Sequence, residues 1–386
     1  NNQFGLTYNP KVGTMLDLVD GAFVSFKAKR KNKKTRRQLR FSSDYFQGLN
    51  YLLNDEQDKA IEIFLRLVES DWQTIDTHLA LGSIFRRKGE IDKAIKLHQS
   101  LLARPSLPSE YKVRVLLELG RDYQLAGWLD RAESLFNDVL KDSDYTEEAL
   151  SHLMDIYQQE QEWESAKTVA KRYQRAAKNS LKSVIAQFYC ELSDKEYLKG
   201  DLKESEALAV QGLSMDENCV RASIILGNLA IQRGRYKKAI RFFKQIEFQN
   251  IVYLPLVVMN LIECYRNQSN LRTLISYLRS VDEKYDSISL TPVIVDLISE
   301  VYDAFAAIEY LSERMKFKPS LDGIQKMLEI NLSDVDNQQN YIKEVVDQLM
   351  IDQSGYQCSK CGYSAKTLYW LCPSCHTWSG MKPRHQ

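Results

Sequence analysis

The stretch Leu81-Gly-Ser-Ile-Phe-Arg-Arg-Lys-Gly-Glu-Ile-Asp-Lys-Ala-Ile-Lys-Leu-His98 decides the fold. Within it, Gly82 is followed by Phe85, then Ala94, then His98. Such a pattern suits two short helices that cross closely, with small residues where the backbones meet and rings filling the gaps. Lys88-Gly89-Glu90 supplies the turn between them, because glycine tolerates the left-handed backbone at a helix end. The same four positions recur 34 residues earlier as Gly48, Tyr51, Ala60 and Phe64. They recur downstream as Gly120, Tyr123, Ala132 and Phe136, after an insertion that carries Pro105 and Pro108. A further copy keeps Tyr157 and Ala166, with Met154 in the glycine position. A degenerate copy surrounds Gly200-Asp-Leu-Lys-Glu-Ser-Glu206, and a clear one follows at Gly227, Gly234, Ala239 and Phe243. Weaker copies place Tyr265 and Leu278, then Ala307 and Pro319.

A period near 34 built this way is the tetratricopeptide repeat. The expected fold is mainly α: about eight helical pairs over residues 41–350, with 321–350 capping the array. Such an array coils into a superhelix whose concave groove is lined by the first helix of each pair. The register places Arg86, Arg87, Arg114, Arg121, Gln124, Arg221 and Asn228 on or near that face. Taken singly, each is an ordinary solvated residue. Five arginines at similar phases suit an acidic or extended peptide partner. The 21 tyrosines, at these spacings, read mostly as core between repeats.

The chain closes on a different signal, Cys358-x2-Cys361-x10-Cys372-x2-Cys375. Each pair makes a tight knuckle, and two facing knuckles form a tetrahedral thiolate cage for one iron or zinc ion. Four sulfurs leave no open coordination position, which argues against a catalytic metal and against His376 or His385 as ligands. Gly362 and Pro373 suit the two knuckle turns, and the segment from Tyr363 to Leu371 alternates like a β-hairpin. Tyr363, Tyr369, Trp370 and Trp378 are expected to form an aromatic shell around the metal. Residues 351–386 are too few to bury a core of their own, so the metal supplies much of the folding free energy. Cys190, Cys219 and Cys264 lack any paired spacing and read as reduced, buried thiols of a reducing compartment.

At 44% apolar and 27% charged, the 386-residue chain has a globular composition. The net charge of +1 conceals a run of nine Lys or Arg between Lys27 and Arg40, which leaves −8 for the rest. That balance argues against a nucleic-acid-binding body. The run itself has three readings: a nuclear-type signal or nucleic-acid arm, a juxtamembrane segment, or a solvated linker; its position just before the first repeat favours a membrane-proximal linker, although composition alone does not decide. No run reaches the roughly 18–20 apolar residues that span a bilayer. Residues 15–26 precede their basic run instead of following it, so they are not a signal peptide. Residues 1–40 read as a basic segment apart from the array, either foreign to the protein, as for those before Met15, or replacing a membrane anchor. No phosphate-binding glycine loop, metalloprotease motif or nucleophile elbow occurs, and His78, His98 and His152 sit on repeat helices.

Residues 81–99, the strings Leu-Gly-Arg-Asp-Tyr-Gln-Leu-Ala-Gly (119–127) and Ala-Gln-Phe-Tyr-Cys-Glu-Leu (186–192), and the ending Thr367-Leu-Tyr-Trp-Leu-Cys-Pro-Ser-Cys-His-Thr-Trp-Ser379 carry a resemblance. Over residues 41–383 the chain resembles the lipopolysaccharide assembly protein B family of Gram-negative bacteria. The resemblance implies a non-enzymatic adaptor at the cytoplasmic face of the inner membrane, held there by one N-terminal helix. It implies two partners, the membrane AAA+ protease FtsH and the deacetylase that commits lipid A synthesis, and a link to lipopolysaccharide synthesis and export proteins. It also implies a rubredoxin-like iron site at Cys358, Cys361, Cys372 and Cys375. The family's apolar anchor has no counterpart after Met15. A rubredoxin-like redox or metal-sensing repeat protein is the alternative reading.

Overall fold

The computed structural model describes residues 75–386 apart from 106, 142–143, 179, 286–289, 318–320, 332–354 and 384–386. Before these it describes 47–48, 50–51, 59–60 and 62–63. The basic run, most of the first repeat copy, residues 332–350 and His385 lie outside the described residues. Two units divide the chain, residues 1–74 and 75–386. In the first, the described residues are helical, with the Lys59 ammonium 5.5 Å from the centre of the Tyr51 ring.

The second unit stacks helices in antiparallel pairs. The pairs are α1 (Ile75–Arg87) with α2 (Ile91–Leu102), α3 (Ser109–Leu125) with α4 (Leu129–Val139), and α5 (Thr146–Gln159) with α6 (Trp163–Ala177). Next come α7 (Lys182–Leu198) with α8 (Leu202–Met215) and α9 (Val220–Gln232) with α10 (Tyr236–Asn250). A 3-10 helix, Ile251–Val257, interrupts the period before α11 (Val258–Arg266) with α12 (Leu271–Lys284) and α13 (Thr291–Val301) with α14 (Ala304–Phe317). A last described helix, α15 (Leu321–Asn331), packs on α13 and α14 where the capping pair was expected. First helices also touch the next first helix at several steps, α1 with α3, α3 with α5, α7 with α9 and α13 with α15, and so form a row over these steps.

The spacing read from the sequence has a direct packing cause. A Cβ on Gly82 would stand 2.2 Å from His98 Nε2, one on Gly120 2.7 Å from Phe136 Cε1, and one on Gly227 2.3 Å from Phe243 Cε1. The residue 16 positions on therefore occupies the space the glycine leaves, while Ala94, Ala132, Ala166 and Ala239 are fully buried. Where Met154 replaces the glycine, the size order reverses, and it packs on the cluster that contains Ala170. Gly227→Ala should lower stability by about 1–3 kcal/mol, because fully buried Phe243 has nowhere to move. Denaturant unfolding of the variant measures this, and an unchanged midpoint would contradict the close approach.

One stretch, Tyr236–Arg266, is long and apolar enough by composition to cross a membrane, which the sequence reading did not expect. It comprises α10, the 3-10 helix and α11, contains Pro255, and buries Phe243, Ile246, Tyr253 and Leu261 in the core of the array.

Residues 356–383 form a three-stranded antiparallel sheet of order β2-β1-β3, with β1 Tyr356–Cys358, β2 Ser364–Ala365 and β3 Met381–Pro383. The expected hairpin within 363–371 does not form. Ser364 and Ala365 pair with Gln357 and Tyr356, and Leu371 bridges instead to Trp378. The tight first knuckle turns the chain back on β1 before the alternating segment can pair with itself.

Candidate metal centre and its seat on the repeats

Both knuckles share one backbone plan. In the first, Gly362 N–H donates to Cys358 C=O at 2.9 Å and Cys358 N–H donates to Tyr363 C=O at 2.7 Å. In the second, His376 N–H donates to Cys372 C=O at 2.9 Å and Cys372 N–H donates to Thr377 C=O at 3.1 Å. Gly362 and His376 hold equivalent left-handed positions, with φ of 78° and 51°. His376 is thus the turn residue of its knuckle, and the four-cysteine cluster does not include it.

Four sulfurs converge within 4.8 Å of one another, with Cys358 to Cys375 and Cys361 to Cys372 each at 3.7 Å. A tetrahedron with metal–sulfur bonds of about 2.3 Å has edges of about 3.8 Å, so the cage has the size a zinc or iron tetrathiolate needs. Backbone amides of Cys361 and Lys360 lower the Cys358 thiol, and the Thr377 hydroxyl holds Cys375 down at about 6. Both shifts favour the thiolate, the form that binds metal. Burial pushes Cys372 up to about 11, so metal binding has to displace its proton. Gly380 brings its backbone against the cage: a Cβ there would lie 3.1 Å from Cys358 Sγ. The chemistry such a closed cage supports is structural ligation or one-electron cycling; no sulfur position is left for a substrate.

The aromatic residues do not form the expected shell. Tyr363 and Tyr369 are exposed. Trp378 inserts into the repeats, its ring 6.0 Å from Trp163 and 5.9 Å from Phe188, both edge-on. Its Nε1–H donates to Gln158 Oε1 at 2.8 Å. Trp370 packs on Tyr253, with centroids 5.6 Å apart, and the Arg221 guanidinium lies 5.9 Å from its ring. Tyr253 donates its hydroxyl to Met381 C=O at 2.8 Å, with Ser379 C=O at 3.2 Å, and burial pushes its pKa up to about 12. Gln187 Nε2 donates to Ser379 Oγ at 3.2 Å. The module therefore sits across α5, the start of α6, α7, α9 and the 3-10 helix, not at an end of the array. An indole half-satisfied by a 30-residue module finds its remaining contacts on the larger body, which is why the shell opens outward.

Sequence reasoning missed Gln158, Trp163, Gln187, Phe188 and Tyr253. The one available signal was the break in period at Ile251–Val257, which carries Tyr253 into the seat.

The residues expected along the groove are engaged mostly with neighbouring repeats. Arg86 pairs with Glu118 and with fully buried Asp122, the latter at 2.8 Å. Arg114 pairs with Asp76 at 2.6 Å, and Arg121 with Glu118 at 2.6 Å and Glu148 at 2.8 Å. Arg221 is buried, bonded to Glu191 and Asp194 at 2.7 Å each. Asn228 accepts from Asn260 at 2.9 Å, and Arg87 is exposed. Cations and carboxylates about one repeat apart thus hold successive pairs in register. Asp76, Arg114, Arg121 and Glu148 also line an open depression of about 490 Å³ on the first-helix row.

Gln124 belongs to a second link. His152 accepts from Arg121 Nε at 3.0 Å and faces Gln124 Oε1 at 2.9 Å, which fixes a neutral tautomer with the proton on Nδ1. Its ring stacks on Phe136 at 4.9 Å. Burial first, then the charge of Arg121, depress its pKa to about 4. The unfolded imidazole takes up a proton below about pH 6.5 and the folded one does not. Stability from this site is complete above that pH and is lost as pH falls toward 4. His152→Gln should flatten this part of the acid dependence of denaturant unfolding; an identical slope in both proteins would refute the assignment.

A tetratricopeptide scaffold with a rubredoxin-like metal module seated on it is the class that fold and site define. Residues 356–383 match the profile of the rubredoxin metal binding domain of the LapB zinc ribbon, and 77–109 that of the tetratricopeptide repeat. Lipopolysaccharide assembly protein B of Escherichia coli K12 is 32% identical over 368 residues, covering 94% of each chain. Its namesake in Haemophilus influenzae Rd is 28% identical over 380 residues, covering 95% of this chain and 96% of its own. The chain belongs to the lipopolysaccharide assembly protein B family. The solved structure of MamA overlaps 47% of this chain and 94% of its own at 20% identity, with a TM-score of 0.33.

Proposed function

We propose that this protein is a non-enzymatic adaptor that restrains lipopolysaccharide synthesis. It brings the deacetylase that commits lipid A synthesis to the membrane protease FtsH, at the cytoplasmic face of the inner membrane, and helps match synthesis to export. The observation that carries this reading is the seat of the module. A cage with all four positions filled by protein is fastened to α6, α7 and the 3-10 helix by Trp370 and Trp378, so the metal shapes a surface and does not meet a substrate. Family membership along nearly the whole chain supplies the pathway.

In this reading Cys358, Cys361, Cys372 and Cys375 hold one iron or zinc ion, whose bound form folds the module. The first-helix row beyond the module, where Arg87, Arg114 and Arg121 are at least partly accessible, receives the partner segments. Cross-linked pull-down from envelope-containing lysate tests the proposal. Recovery of both the protease and the deacetylase is the expected result, and recovery of neither overturns it.

A further inference from the structure

Beneath the metal module lies a second sulfur pair that the cage does not use. Cys190 on α7 and Cys219, the residue that opens α9, belong to neighbouring repeats, and their Sγ atoms are 3.8 Å apart. Both are buried, at 0% and 3% exposure. The two thiols are not equivalent. Cys219 stands at a helix N-terminus, where the Cys190 thiol first and then the Ala222 amide favour its thiolate against the cost of burial. Cys190 has no such amide donor. The remaining array cysteine, Cys264, is buried away from any second thiol, and desolvation pushes it up to about 11. The pair is also joined to the module: Gln187 Nε2 reaches Cys219 Sγ at 3.6 Å and Ser379 Oγ at 3.2 Å.

We propose that Cys190 and Cys219 are a peroxide-responsive dithiol that closes a reversible disulfide between α7 and α9 under the metal module. Cys219 thiolate attacks one oxygen of hydrogen peroxide; the O–O bond breaks, hydroxide leaves, and the sulfur becomes a sulfenic acid. Cys190 sulfur then attacks Cys219 sulfur, the S–O bond breaks, and water leaves. In total two thiols are oxidised by two electrons and one peroxide is reduced to two waters. The sulfurs close from 3.8 Å to the disulfide length of about 2.05 Å. Peroxide is little larger than water and enters as the seam beside Ser379 opens locally. The new bond ties the first turn of α9 to α7 and moves the sulfur that Gln187 Nε2 contacts beside Ser379 Oγ. Oxidation is thereby felt at the module's edge. The inference stands independently of the adaptor reading.

The test uses the full, metal-loaded chain, treated with hydrogen peroxide, quenched, alkylated in denaturant and digested without reductant. The expected mass map contains a Cys190–Cys219 linked peptide lighter by two hydrogens, lost on dithiothreitol treatment, with Cys264 alkylated. In Cys190→Ala, Cys219 should instead be trapped by dimedone as the sulfenic acid. Because the wild-type map decides the question, poor folding of a variant does not obscure it. The proposal is overturned if Cys190 and Cys219 stay fully alkylatable after the four knuckle cysteines have oxidised. It is equally overturned if either is found bonded only to a knuckle cysteine.

Discussion

Replacing Cys358 and Cys361 with serine should unfold residues 356–383 and abolish partner regulation while leaving the repeats folded. Metal binding contributes on the order of 10–16 kcal/mol to small structural zinc modules, far more than three short strands can supply. The variant should lose its metal, and Trp370 and Trp378 should leave their seats on Tyr253, Trp163 and Phe188. Helix content should hardly change, because α1 to α15 pack on one another. Metal analysis, far-UV and near-UV circular dichroism, and the half-life of the deacetylase in cells check the three parts. An unchanged deacetylase half-life beside a metal-free module would separate the metal from regulation and remove the adaptor reading as stated.

Trp378→Ala should produce the complementary state, a folded, metal-loaded module no longer fixed to the array. Trp378 contributes no ligand, so the cage and the β1–β3 pairing remain. What is lost is the ring between Trp163 and Phe188 and the bond to Gln158. For a half-buried indole this amounts to about 2–3 kcal/mol, below the ~3–5 kcal/mol of a fully buried ring. The bond alone is worth about 1 kcal/mol, so Trp378→Phe should retain most of the docking. Limited proteolysis should free the module from the alanine variant with its metal still bound, and hardly touch the phenylalanine variant. Equal protection of all three proteins would show that the Trp370–Tyr253 contact suffices alone.

The repeats were legible because each signature residue acts on a partner at fixed separation within its own helical pair. Gly227 predicts Phe243 by sterics alone, and the same holds for Gly120 with Phe136. The cage was legible for a similar reason, since two knuckles carry their geometry locally. What the sequence could not show is where distant surfaces meet. Trp370 and Trp378 read equally well as a shell around the metal until the seat at Tyr253, Trp163 and Phe188 is known. The arginines show a related limit. Their phases place them on first helices, but the carboxylates that hold Arg86 and Arg221 lie about one repeat away and emerge only when the pairs are stacked. Cys190 and Cys219 looked like scattered thiols because 29 residues separate them, although one inter-repeat step brings them together.

The bond between Gln158 and Trp378 spans 220 residues, whereas the ion pairs between repeats span about 30. An array of local contacts can fold pair by pair as it leaves the ribosome. The seat of the module cannot be filled until the last knuckle has been translated. At ~5–20 residues per second that leaves Trp163, Phe188 and their neighbours bare for about 10–40 s. Until Trp378 is made, a nascent chain thus carries at Trp163 and Phe188 an aromatic patch whose cover is still to be synthesised.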